Sequence, residues 1–399
     1  MNRREFSKNI VIGAAAVSTS GIARASATPE GSTSDWARGS KPTIRAGGDY
    51  HAHAGASFLS RENIEYNLRF GVKHLTINLA GGRSPLDEGH ASAPRIKSGW
   101  LNPSAPWDVD ALKRTQEQFN ASGIKIEGAR MDSAYIVMKP GPERDRYLDV
   151  IRNNIRKAGE AGIEIVNYHW TMIPIRRNGK AKGRGGSVSP SFKLESNWRD
   201  LPLTEAGRVS SDEYWERIDY FLKGVIPVAR ESKVKMAVHP YDPGGLPLGY
   251  EGVDNWDAVD FVAGMKKYEL LYDDVYNGFQ YDTGVAGESL PDPNSQIDLL
   301  RYLVERGKVH QIHFRNIRGR QNDFVETYPD EGDVNMFNVV RLLRDLNWQG
   351  SLLPDHSPTH VDDPGSLQGY AFAYGYIAAM IQAAYAESGS GSPNHRDAT

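Results

Sequence analysis

Short runs rich in β-branched and aromatic residues recur along the chain at Ile44–Tyr50, His74–Leu79, Lys125–Arg130, Ile163–Tyr168, Val234–Val238, Gly278–Tyr281, Val309–Phe314 and Ser351–Leu353. Each has strand length. Between them apolar positions fall at helical spacing, as in Arg144–Glu160 (Tyr147, Val150, Ile151, Ile155), Ser211–Ser232, Ser295–Arg306 and Asn335–Leu346. Alternating strand and helix predicts a parallel sheet, and eight alternations predict a closed (β/α)8 TIM barrel, in the α/β class, rather than an open doubly wound sheet. Helix-to-strand joints at Ser122-Gly123, Ala161-Gly162, Arg306-Gly307 and Gln349-Gly350 each put Gly where a helix C-cap favours positive φ. No Gly-x-Gly-x-x-Gly follows a strand, which leaves the dinucleotide-binding reading weak.

Two stretches interrupt the rhythm, Ala80–Ala111 and Ile175–Thr204. Both follow a strand on the side of a barrel where catalytic loops lie. The second carries Arg176, Arg177, Lys180, Lys182 and Arg184 among glycines. It reads either as a solvated charge run or as a mobile lid that recruits an anionic or polyhydroxy substrate.

The N-terminal segment reads as an address. Asn2-Arg3-Arg4-Glu5-Phe6-Ser7-Lys8 resembles a twin-arginine export signal, the apolar run from Ile10 to Val17 follows, and Ala25-Ser26-Ala27 is a small-x-small cleavage site. The expected organisation is a signal peptide at 1–27, a Ser/Thr/Gly/Pro-rich linker at 28–42, one barrel domain at 43–386 with long βα loops, and a flexible tail at 387–399. The apolar run is too short to span a bilayer, so the expected mature protein is periplasmic and free of the membrane.

Composition narrows the partners. Of the 399 residues 39% are apolar, 10% aromatic and 24% charged, with a formal net charge of −3. Disorder is excluded, and nothing in the charge balance points to nucleic acid. The chain has no Cys, so disulfides and thiolate metal sites are excluded and any ion must use nitrogen and oxygen donors. Whether the protein forms a homo-oligomer is left open.

In a barrel, the residue ending a strand on the C-terminal side points into the mouth. The fifth to eighth strands end in His239 (Val238-His239-Pro240), Asp282 (Tyr281-Asp282-Thr283-Gly284), His313 (Ile312-His313-Phe314-Arg315-Asn316) and Asp355 (Pro354-Asp355-His356). Two imidazoles and two carboxylates suit a hard to borderline divalent ion, Mn²⁺ first, with Mg²⁺, Zn²⁺ or Fe²⁺ as alternatives. Arg315 lies two residues beyond His313 and so projects to the same side. There it is expected to bind the substrate carboxylate or another oxygen. His169, at the end of the fourth strand, is a further substrate contact.

From about Gly141 to Ala379 these motifs resemble the mannonate dehydratases, within the xylose-isomerase-like TIM barrels. The resemblance is carried by Arg144-Asp145-Arg146-Tyr147, Lys157-Ala158-Gly159-Glu160-Ala161-Gly162, Val238-His239-Pro240, Asp282-Thr283-Gly284, His313-Phe314-Arg315-Asn316, Glu331-Gly332-Asp333-Val334-Asn335-Met336 and Pro354-Asp355-His356. It implies a Mn²⁺-dependent lyase that abstracts the proton beside a sugar-acid carboxylate and expels a β-hydroxyl. The family's ligands, two His, a Cys and an Asp, map onto His239, His313 and Asp355, with Asp282 where the family has Cys. The resemblance also marks His356 and Tyr370 as acid/base groups, and Asn316 and Tyr241 as substrate contacts alongside His51. The family's His-Pro-Asp-Asp-Pro-Pro is here His239-Pro240-Tyr241-Asp242-Pro243-Gly244, so the groups that grip the sugar acid have changed.

Other readings stand beside this one. A sugar or keto-sugar epimerase, isomerase or keto-glycoside lyase would need the same ion and the same proton removal beside a carbonyl. Asp49-Tyr50-His51-Ala52-His53 contains the His-x-His of amidohydrolase barrels, which would make the protein a metal-dependent hydrolase using His51 and His53. No Lys ends a strand to bridge two ions, which favours the lyase. A non-catalytic sugar-binding protein on the same barrel is a third reading, disfavoured by four intact ligand types.

Overall fold

The structure is a computed structural model that describes residues 42–52, 54–55, 58–79, 106–131, 134–363 and 365–389. The expected signal peptide, the linker up to residue 41, His53, residues 80–105 of the first interruption, and 390–399 lie outside the described residues.

Eight strands make one parallel sheet: β1 (Ile44–Ala46), β2 (His74–Asn78), β3 (Lys125–Arg130), β4 (Ile165–His169), β7 (Lys235–His239), β8 (Asn277–Asp282), β9 (Val309–His313) and β12 (Gly350–Leu353). Their order, β1-β12-β9-β8-β7-β4-β3-β2, is that of a barrel opened between β1 and β2. Just past β1, Gly48 spans that seam: its N–H donates to the His74 carbonyl (2.8 Å) and its carbonyl accepts from Thr76 N–H (2.9 Å). A Cβ on Gly48 would stand 2.3 Å from the end of the Leu75 side chain, so a larger residue here would force Leu75 to move. All eight predicted runs are staves. The first stops early, at Ala46, and the other ends shift by at most two residues.

Helices α1 (Arg61–Arg69), α2 (Val109–Ala121), α3 (Pro142–Glu160), α4 (Ser211–Ser232), α5 (Phe261–Leu271), α6 (Thr283–Glu288), α7 (Gln296–Glu305), α8 (Met336–Asp345) and α9 (Leu367–Gly389) connect and surround the staves. α4 starts where its sequence dictates, with a reciprocal capping box between Ser210 and Glu213. Its Phe221 packs against Trp170, Tyr135 and Tyr168 at ring separations of 4.8 to 5.3 Å. Burying each such ring stabilises the fold by about 1.5–3 kcal/mol over leaving it exposed. Among the described residues no helix is long and apolar enough to cross a membrane.

Three of the four expected helix-to-strand glycines, Gly123, Gly162 and Gly307, have φ of +70° to +81°. The fourth does not. Asn347 takes the left-handed turn after α8 (φ 51°), and Gly350 instead opens β12 beside Trp348, whose ring lies 2.4 Å from where a Cβ would be. Helix α9 runs on to Gly389.

The second interruption is not a loop. Residues 175–204 supply β5 (Gly179–Lys182) and β6 (Val188–Lys193), which join β10 (Asn316–Arg320) and β11 (Asp323–Thr327) in an antiparallel accessory sheet of order β10-β11-β6-β5. β10 begins three residues after His313, so the sheet rises from the C-terminal end of the barrel. A bridge between Val188 and Thr359 ties it to the segment after β12. The basic residues are largely neutralised there. Arg176 pairs with Glu251, Arg177 with Asp242 and Glu326, and Arg184 with Asp330. Periodicity missed these strands because Gly, Ser and Lys carry little β signal.

Candidate metal centre

Strand register brings the predicted donors together. Asp282 lies beside His313 across β8 and β9, and His239 beside His169 across β4 and β7. One ligand atom from each of His239, Asp282, His313 and Asp355 lies within 4.8 Å of the others, and all four residues are buried. The atoms can be assigned. His239 Nδ1 lies 2.6 Å from the Pro240 carbonyl, to which it must donate, leaving Nε2 to face Asp282 Oδ2 at 3.3 Å. Asp282 spends its other oxygen on the N-cap of α6, accepting from Val285 N–H at 2.7 Å. His313 Nε2 meets Asp49 Oδ2 at 3.3 Å, and its Nδ1 looks between Asp282 Oδ2 (3.7 Å) and Asp355 Oδ2 (3.5 Å).

That Nδ1 has no hydrogen-bond partner although it is buried. A buried ring nitrogen without a partner, facing two carboxylates and a second imidazole, is the environment a divalent cation satisfies. The residues therefore fit such an ion, and an all-nitrogen-and-oxygen donor set is harder than one containing a thiolate.

The charges agree. Burial alone would raise Asp282, but the Arg315 guanidinium and the two imidazoles hold its carboxyl well below the usual range. Asp355 is likewise held well down against its burial by His356 and His313. Asp49 is brought to about 2 against its burial by His51 and His313. Burial would lower His313, yet Asp355, Asp282 and Asp49 push it well up. The cluster is thus an anionic hole that draws in positive charge.

Asp49 had no assigned role in the sequence. By clamping His313 Nε2 it fixes which nitrogen faces the cluster, the usual second carboxylate behind a metal-binding imidazole. Its position two residues before His51 was the available signal. Gln280, two residues before Asp282 on β8, brings its side-chain amide to 2.7 Å from the same His313 Nε2, with the amide oxygen turned to the ring when that nitrogen donates to Asp49.

Other predicted residues divide. His51 sits on the open side of the cluster, its Nδ1 2.6 Å from Asp49 Oδ1 and 3.2 Å from Asp355 Oδ1. His356 flanks Asp355 from the other direction, Nε2 at 3.3 Å from Oδ2. Its Nδ1 is 2.7 Å from Glu326 Oε1, a contact the sequence did not foreshadow because β11 returns to the mouth from the accessory sheet. The two rings are 6.2 Å apart and both are partly exposed, at 35% and 30% of their side chains. His169 stacks on His239, centroids 4.5 Å apart, and burial with the nearby Arg130 guanidinium drives it well below the ordinary imidazole value.

Four residues are placed otherwise than expected. Arg315 points to the predicted side but is 2% exposed and is taken up by carboxylates. It contacts Asp282 (3.0 Å), Asp242 (3.2 Å), Glu288 (3.4 Å) and Asp355 (3.4 Å), so it braces the cluster from behind instead of meeting substrate. Asn316 is a fastener: its amide nitrogen donates to the Pro329 and Val334 carbonyls. Tyr241 is fully buried, and its hydroxyl has no hydrogen-bond partner. Tyr370 donates its hydroxyl to the Asp355 carbonyl at 2.6 Å and is 6% exposed, which makes it a support for the Asp355 backbone.

Comparison with known proteins finds mannonate dehydratases. Residues 195–388 match the family model described as D-mannonate dehydratase (UxuA). The mannonate dehydratase of Streptococcus pneumoniae (strain 70585) is 27% identical over 293 residues, covering 66% of this chain and 78% of that protein. That of Thermotoga petrophila is 26% identical over 331 residues, covering 72% and 87%. Among solved structures, the mannonate dehydratase from Streptococcus suis serotype 2 superposes with a TM-score of 0.67 at 22% identity, covering 88% of this chain and 97% of that one. The chain is thus similar to D-mannonate dehydratases over its C-terminal half and shares the barrel fold of a solved one, with a cluster able to hold a divalent ion at the barrel's mouth.

Proposed function

We propose that the protein is a divalent-metal-dependent sugar-acid dehydratase, a carbon–oxygen lyase, that uses Mn²⁺ and acts on D-mannonate or a close relative. The observation that carries this reading is the buried His239, Asp282, His313 and Asp355 cluster with its partnerless His313 Nδ1, in a chain whose relatives are mannonate dehydratases. A divalent ion held by those four side chains supplies Lewis-acid charge for the negative charge that develops on the substrate carboxylate.

The remaining work falls to the chain's own groups. Dehydration needs a base for the proton beside the carboxylate and an acid for the departing hydroxyl. His356 and His51 stand on either side of Asp355 and are partly exposed to the mouth. Desolvation opposes charge on His356, but Asp355 and Glu326 raise it above the ordinary imidazole value. These carboxylates stabilise the imidazolium, which suits His356 Nε2 to both steps: it takes the proton beside the carboxylate and passes it to the departing β-hydroxyl, which leaves as water. Desolvation also opposes charge on His51, and Tyr50 and Asp49 with Asp355 raise it well above the usual value. His51 orients substrate oxygens in this scheme. Arg315 and Arg177 hold the carboxylates around the cluster in place. Export through the twin-arginine route, supported by residues 2–8 and 25–27, belongs to the same reading.

Metal analysis and turnover test it together. Purified protein loaded with Mn²⁺ and freed of excess should retain about one ion per chain and convert D-mannonate to a 2-keto-3-deoxy acid. Asp282→Ala and His313→Ala should lose both ion and turnover, and unchanged metal content in both variants would refute the reading.

A further inference from the structure

We infer that Glu326, delivered by the accessory sheet, is a positioning residue that aims the His356 imidazole at the metal cluster. The inference rests on the assignment of His356 as the acid/base group. Glu326 lies on β11, 4% exposed, and its Oε1 is the meeting point of two donors. His356 Nδ1 stands 2.7 Å away and Arg177 Nε also 2.7 Å. His356 Nε2 is then the nitrogen left facing Asp355 and the open mouth.

The geometry argues for more than a surface pairing. With Nδ1–H donated to a buried carboxylate, the tautomer and plane of the ring are set, as in an Asp-His or Glu-His dyad. Arg177 keeps the carboxylate in position through its second contact to Asp242 (2.7 Å), which Arg315 also grips. The orienting group thus belongs to the accessory sheet, whereas the ring it orients adjoins Asp355 at the end of β12. A bare (β/α)8 barrel would hold the metal yet leave His356 unsteered. This gives residues 175–204 and 316–327 a catalytic purpose that neither a loop nor a lid requires.

The test uses full-length protein carrying Glu326→Ala or Glu326→Asp. With Mn²⁺ and D-mannonate, Glu326→Ala should lower kcat by about 10- to 100-fold, with KM within twofold and Mn²⁺ content unchanged, and Glu326→Asp should recover part of the loss. In metal-free protein labelled with ¹⁵N-histidine, long-range ¹H–¹⁵N spectra, assigned with His356→Gln, should show His356 protonated at Nδ1 in the wild type and a mixed tautomer in Glu326→Ala. An unchanged His356 spectrum in Glu326→Ala overturns the inference, as does wild-type kcat, or a kcat loss accompanied by loss of bound Mn²⁺. If wild-type protein does not turn over D-mannonate, the proposed function fails instead, and the histidine spectra alone decide the role of Glu326.

Discussion

Replacing Asp49 by Ala should weaken metal binding without touching a metal ligand. Asp49 Oδ2 accepts from His313 Nε2 at 3.3 Å, and Oδ1 holds His51 Nδ1 at 2.6 Å. Hydrogen bonds to charged groups contribute about 1.5–3 kcal/mol. The 3.3 Å contact is long, so the lower figure applies to His313, and about 1.5 kcal/mol corresponds to a roughly tenfold weaker Mn²⁺ affinity. The loss has two parts: the ring is free to rotate or change tautomer, and its facing nitrogen becomes a poorer donor. Titration of metal-free wild type, Asp49→Ala and His313→Ala with Mn²⁺, followed by calorimetry or by the EPR signal of the free ion at one pH, reads the difference. His313→Ala should be far worse than Asp49→Ala. An Asp49→Ala affinity within twofold of wild type would refute the claim that this carboxylate sets the His313 ring. A large drop in the thermal midpoint of the metal-free variant would refute it equally, by showing that Asp49 supports the fold instead.

Two further outcomes follow from buried groups. Asp257 is fully buried and raised to about 8 by that burial. Between pH 5 and 7 the unfolded chain has released this proton and the folded chain keeps it, so stability should fall with rising pH by about 1.4 kcal/mol per unit, roughly 3 kcal/mol over that span. Asp257→Asn should remove that slope, measured as urea midpoints at pH 5 and 7, and parallel losses in the two proteins would contradict the assignment. Tyr370→Phe deletes the donor to the Asp355 carbonyl and should cost about 1 kcal/mol of stability with kcat kept within tenfold. A thousandfold drop in kcat at an unchanged thermal midpoint would instead make its hydroxyl a proton donor.

The sequence carried the barrel because its determinants are local. Each stave is a short apolar run, α4 announces itself by Ser210 and Glu213, and three joints use glycines in the left-handed region. The four cluster residues were legible for the same reason, since a strand end in a barrel has only one place to point. What failed depends on partners distant in sequence. Two-residue alternation put Arg315 on the correct side, but Asp242 and Glu288, which absorb its charge, come from segments after β7 and β8 that carry no signature. Glu326 was invisible because β11 returns to the mouth through its hairpin with β10, where Glu326 pairs with Ile317, and the short polar run Asn316–Arg320 carried no strand signal. Gly350 was misjudged because a close ring, not a backbone angle, demands it.

The charge pattern around the mouth explains why those distant partners matter. Asp49, Asp242, Asp282, Asp355 and Glu326 are all held below their ordinary values despite burial. The guanidinium groups of Arg177 and Arg315 give fixed positive charge at the back of the cluster. Burial and the neighbouring Asp242 push Glu288 well above the usual range, against the pull of Arg315 and Arg177. The rest of the positive charge must come from protons on His51, His313 and His356 or from an ion, and only His313 turns a partnerless nitrogen toward two ligand carboxylates. A divalent ion held there would take the place of a proton at His313 Nδ1, while His51 and His356 are each engaged with a further carboxylate, Asp49 and Glu326. In this arrangement the arginines that substrate recognition was expected to use instead make so acidic a cluster compatible with a buried site.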